Sequence, residues 1–82
     1  MKILPPHPKL DNYLKERNLE KKFIKQKELF EQNPFHPSLN TELLEPKSMR
    51  FWSFRVSGKY RAIFIFQNND TVEIIDINNH YQ

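Results

Sequence analysis

Phe51-Trp52-Ser53-Phe54-Arg55-Val56-Ser57-Gly58-Lys59-Tyr60-Arg61-Ala62-Ile63-Phe64-Ile65-Phe66 is the stretch that decides the fold of this 82-residue chain. Trp52, Phe54 and Val56 alternate with Phe51, Ser53 and Arg55, the period of two that marks a half-buried strand. Ser57-Gly58-Lys59 turns the chain, with Gly58 free to take a positive φ angle, and Tyr60 to Phe66 reads as the second strand. Asn68-Asn69-Asp70 supplies another turn, and Val72 to Ile77 a third strand. Two short turns in succession imply an antiparallel meander.

Upstream of it the period is helical. Met1 to Leu4 reads as a short strand ended by Pro5-Pro6, and Pro8 suits the first turn of a helix carrying Leu10, Tyr13 and Leu14. A second helix starts near Leu19 with Asn18 as its N-cap, and Asn33-Pro34 stops it. Its apolar stripe is Leu19, Phe23 and Phe30, flanked by Ile24 and Leu29, with lysines 21, 22, 25 and 27 mainly off the stripe. Pro34 to Lys47 holds three prolines and no sustained period, so it reads as a long loop. Strand, two helices and meander together predict an α+β domain with the helices on one face of a small antiparallel sheet, and residues 1–82 form a single domain.

Composition removes several classes of function. Without cysteine there is no disulfide framework, no thiolate to hold zinc and no cysteine nucleophile. One glycine cannot write a phosphate loop or a dinucleotide fingerprint. The longest apolar run, Ala62 to Phe66, falls far short of the roughly 18 residues of a membrane span, and the N-terminus carries no apolar segment of signal-peptide length. A cytoplasmic protein without membrane attachment is the expectation. Aromatic residues make up 13% of the chain, which argues against disorder.

The net charge of +3 is unevenly placed. Lys47, Arg50, Arg55, Lys59 and Arg61 follow one another with no acid between them, where they could meet phosphates. Charge alone leaves an ordinary solvated face equally open. Arg55 and Arg61 flank the hairpin turn, so they come close on the sheet face away from the helices, as a bidentate anion site or as two solvated arginines. Glu42 stands in the preceding loop as a candidate carboxylate base. His80, next to Tyr81, lies just beyond the last strand, where an imidazole can exchange a proton near neutral pH. His7 and His36 each precede a proline and read as surface residues, and no His/Asp/Glu spacing matches a metal site, so neither metal nor cofactor is expected.

In their order, Pro37-Ser38-Leu39-Asn40-Thr41, Phe51 to Val56, Gly58 to Phe64 and the closing His80-Tyr81 resemble the RelE/ParE superfamily of bacterial toxins, over roughly residues 19 to 82. Within it the chain is most similar to the YoeB-type ribosome-dependent messenger RNA endoribonucleases. That resemblance implies a toxin of a type II toxin–antitoxin system, with a cognate antitoxin, messenger RNA and the ribosome as partners. Whether it assembles as a homodimer or a toxin–antitoxin hetero-oligomer stays open. It implies a catalytic set of Glu42 as base, Arg61 with Arg55 at the reacting phosphate, His80 as acid and Tyr81 against a base or phosphate. Lys47, Arg50 and Lys59 would bind RNA. None of Glu42, Arg61 or His80 is expected in the apolar core. The chain departs from the pattern at Ser53, where RelE has a lysine, and at Glu42, where many relatives have histidine. The alternatives are a ParE-like inhibitor of DNA gyrase and a catalytically degenerate module that binds only its antitoxin.

Overall fold

A computed structural model describes residues 1–79 of the chain. Its elements are β1 (Lys2–Ile3), α1 (Pro8–Glu16), α2 (Glu20–Gln32), β2 (Glu42–Leu43), β3 (Trp52–Ser57), β4 (Tyr60–Phe66) and β5 (Thr71–Asn78). The five strands form one sheet in the order β1-β5-β4-β3-β2. β2 to β5 run antiparallel to their neighbours, and β1 joins the far edge parallel to β5, so the sheet is mixed.

Each helix boundary has a local cause. α1 opens with Pro8, whose missing N–H costs nothing there, and the His7 ring Nδ1 accepts from the Lys9 N–H at 3.0 Å. Asn18 does not cap α2. It sits in the left-handed region at φ 55°, and the Leu19 N–H donates back to the Leu14 carbonyl at 2.8 Å while the Asn18 N–H reaches Lys15. This is a Schellman closure of α1, with buried Leu14 and Leu19 as its apolar contact. The N-cap of α2 is Leu19.

The buried face of α2 is Leu19, Phe23, Gln26 and Phe30, while Ile24 is exposed and Leu29 half-buried. Phe30 packs between Phe54 and Phe64 of the sheet, with ring centroids 5.2 and 5.1 Å away. Gln26 is the polar member of that face. Its amide donates to the carbonyls of Ser38 (3.3 Å) and Arg55 (3.0 Å), fastening the helix to both the following loop and β3.

The segment expected to be one loop, Pro34 to Lys47, carries more structure than that. A 3-10 turn at Pro37–Leu39 is capped by the ring of the half-buried His36, which accepts from the Ser38 N–H at 3.2 Å. Leu39 is fully buried, the Thr41 hydroxyl donates to the Pro34 carbonyl, and Glu42–Leu43 then pairs with β3 as an edge strand. The hairpin turn follows expectation, with Gly58 at φ 53°.

Candidate functional site

Register decides what the open face of the sheet carries. Glu42 faces Ser53 across the β2–β3 ladder, Arg55 faces Arg61 across β3–β4, and Arg61 faces Asn78 across β4–β5. Side chains alternate between faces, so Glu42, Ser53, Arg55, Arg61 and Asn78 share the face opposite α2. The sequence-expected closeness of Arg55 and Arg61 is a direct cross-strand pair.

Arg61 is the centre of this face and is only 2% exposed. Its Nε and Nη2 donate to the Ser53 hydroxyl at 3.2 and 2.8 Å, and Nη2 also donates to the Asn40 carbonyl at 2.6 Å. The Glu42 carboxylate lies 3.9 Å from Nη2, with its side chain 42% exposed. Arg61 was expected outside the apolar core, and what buries it is not that core. The enclosure is polar rather than apolar, because a guanidinium out of water must have its N–H groups met by oxygens.

Asn40 can deliver its carbonyl because it adopts the left-handed conformation, φ 46°, at the end of the 3-10 turn. Asparagine tolerates that region better than most residues. Ser53 is fully buried, and its small side chain leaves room for the guanidinium to lie against the ladder. Neither residue was among the expected site residues. The alternation that placed Arg55 on this face also placed Ser53 there, whereas Asn40 reaches Arg61 from 21 positions away and left no signal in the local period.

Two arginines directly across an antiparallel ladder repel one another. Arg61 is tethered by oxygens, and Arg55 stays exposed beside it with its backbone carbonyl held by Gln26. The result is a tethered guanidinium, an exposed one and a half-exposed carboxylate on one face. Such a face can orient a phosphate and present a base to its neighbour.

The other expected residues lie further off. Lys59 is in the β3–β4 turn, exposed, two ladder positions beyond the arginine pair. Lys47 and Arg50 are exposed in the β2–β3 connection, at the opposite end of β3. His80 and Tyr81 lie outside the described residues. Among the described residues no group of three or more His, Cys, Asp or Glu side chains gathers as a metal site.

This layout, two helices on a five-stranded mixed sheet, is the fold of a known class of bacterial toxin. The YoeB/ParE toxin from Agrobacterium tumefaciens superposes with a TM-score of 0.72 at 17% sequence identity, over 99% of this chain and 100% of that one. No curated protein matches the sequence. Residues 8–80 match the family described as RelE-like toxin of type II toxin–antitoxin system HigB, and the chain belongs to that family. The RelE/ParE resemblance read from the motifs is thereby established, with HigB-like toxins as the matching branch.

Proposed function

We propose that this toxin is an endoribonuclease that cuts messenger RNA, with the ribosome presenting the message to the open face of the sheet. The observation that carries the proposal is the Glu42–Arg61–Arg55 arrangement: a half-exposed carboxylate 3.9 Å from a tethered guanidinium that faces a second arginine in register. Family membership supplies the toxin context and an antitoxin partner. No helix among the described residues is long and apolar enough to cross a membrane, in keeping with action in the cytoplasm.

In this reading Glu42 takes the proton of a ribose 2′-OH, and the 2′-oxygen attacks the adjacent phosphorus. The bond from phosphorus to the 5′-oxygen breaks, leaving a 2′,3′-cyclic phosphate. Arg61 and Arg55 offset the charge that gathers on the non-bridging oxygens. His80, assigned from the motif, gives the departing 5′-oxygen its proton, and Tyr81 stacks on or orients the substrate. The nucleophile belongs to RNA, so DNA is inert. Lys47, Arg50 and Lys59 hold the flanking phosphates.

The test is primer extension on a message under translation. Glu42→Gln and His80→Ala each lower cleavage by about 10² to 10⁴, and Arg55→Ala lowers it as an electrostatic stabiliser does. Lys47→Ala and Lys59→Ala weaken association and flatten its salt dependence. Full cleavage by folded Glu42→Gln and Arg55→Ala proteins would sink the site assignment.

A further inference from the structure

At the end of the β3–β4 ladder remote from the hairpin turn lies a cleft of about 460 Å³ lined by Met49, Arg50, Phe51, Trp52, Ile65 and Phe66. We propose that it is a nucleobase site, holding a base of single-stranded RNA by stacking while Arg50 meets that nucleotide's phosphate. The proposal rests on the nuclease reading for its ligand and names a contact that reading does not contain.

Three observations carry it. First, apolar and aromatic surface is left open here. Phe66 is 37% and Met49 53% exposed, and Trp52 is held edge-on between Phe66 (5.6 Å, 89°) and Phe35 (6.0 Å, 74°). Neighbours fix the Trp52 and Phe66 rings, so stacking a base on them orders little further. Base–aromatic stacking serves any base, since each has a π face.

Second, the charge is complementary. Arg50 is the lining's charged residue, no carboxylate lines the cleft, and Lys47 stands in the same 3-10 turn. Arg50 is also held at φ 58°, a left-handed conformation costly for a residue with a Cβ, with its N–H donated to Lys47 at 3.0 Å. A glycine would fit that backbone without strain. The arginine there puts a cation beside the rings.

Third, the cleft wraps the end of the β3–β4 ladder: by the strand alternation Phe51 and Ile65 line it from the open face, Trp52 and Phe66 from the helix side. Ile65 shares the open face with Arg61 four residues along β4, about 13 Å away at the usual strand rise. Phe51 lies two residues before Ser53 on the same face. A strand of RNA crossing the arginine pair along β4 meets the Phe51 and Ile65 wall first and reaches the Trp52 and Phe66 rings by turning over the end of the ladder, which suits a nucleotide flanking the cut.

The protein has one tryptophan, so fluorescence reads this cleft directly. The probe is a short single-stranded oligoribonucleotide with 2′-O-methyl riboses, which lack the attacking hydroxyl, titrated into the wild-type protein and the Glu42→Gln variant. Saturable quenching in both is expected. Phe66→Ala, checked by circular dichroism, should weaken binding roughly 10- to 100-fold, and Arg50→Gln should lower the salt slope by about one. An abasic oligonucleotide of equal length should bind without quenching. Equal quenching by the abasic probe would overturn the proposal, as would unaltered titrations in both folded variants. A Trp52 signal that tracks protein concentration alone, with doubled mass in light scattering, would overturn it in favour of a second copy. Displacement of the signal by an acidic peptide but not by RNA would overturn it in favour of a protein partner. Cleavage that persists without quenching sinks the cleft alone. Quenching by a protein that cuts nothing sinks the nuclease reading alone.

Discussion

On the helix side of β3 and β4, Phe54 and Phe64 meet Phe30 ring to ring; on the other side, Arg61 is enclosed as deeply by a hydroxyl, a carbonyl and a carboxylate. The two burials rest on different physics. The aromatic face gains from removing apolar area from water, which needs no direction and tolerates small shifts. The arginine face must replace hydration with oxygens at hydrogen-bond distance, so it gains little stability and demands fixed geometry. A domain this small can sustain the second only because the first supplies its cohesion.

Breaking the aromatic side should have the largest effect. Phe30→Ala removes a fully buried ring shared by two neighbours, and a loss of about 3–5 kcal/mol is expected in urea unfolding. That is most of the stability available to a domain of this kind. On the polar side, Ser53→Ala withdraws the acceptor of two guanidinium hydrogen bonds. We expect about 1–3 kcal/mol lost in the same experiment, together with reduced cleavage, because Arg61 would no longer be held in place. Phe30→Ala lowers activity only through loss of folded protein, so cleavage per folded molecule separates the two faces.

Gly58→Ala tests backbone alone. Nothing lies within 4 Å of the added Cβ, so the cost of about 1–2 kcal/mol comes from the positive φ, and cleavage per folded molecule should be unchanged. The smallest stability change belongs to Glu42→Gln, about 0–1 kcal/mol, since its partly exposed ion pair with Arg61 is long and solvated. A large destabilisation there would mean that the carboxylate is a structural member of the polar enclosure.

The period of two from Trp52 to Phe66 is enough to read the hairpin, the faces and the closeness of the two arginines from sequence, because alternation and turn chemistry are local. What the residues concealed was set by distant contacts or by competing uses of one residue. Asn18 suits an N-cap and a left-handed C′ position alike; the buried Leu14–Leu19 contact selects the second. Glu42 and Leu43 form a strand too short for periodicity, recruited by the free edge of β3. The parallel docking of β1 is invisible in a stretch of so few residues. Gln26 occupies an apolar stripe as the polar exception, justified only by the two carbonyls it meets. The enclosure of Arg61 depends on Asn40, which arrives through a turn that reads as loop.

β1 sits beside β5, with Lys2 and Ile3 opposite Thr71 and Val72, and the Ile3 N–H also reaches the Glu31 carboxylate at the end of α2. That pairing joins nearly the whole length of the chain into one loop, among the costliest closures to make by diffusion. The arginine row has the same dependence, since Arg61 is flanked by Asn78 of the strand synthesised last. During translation the helices are complete well before the sheet can close, so the two sides of the molecule are acquired at different times. The face that carries Arg61 is complete only once β5 has docked, so its assembly belongs to the end of folding.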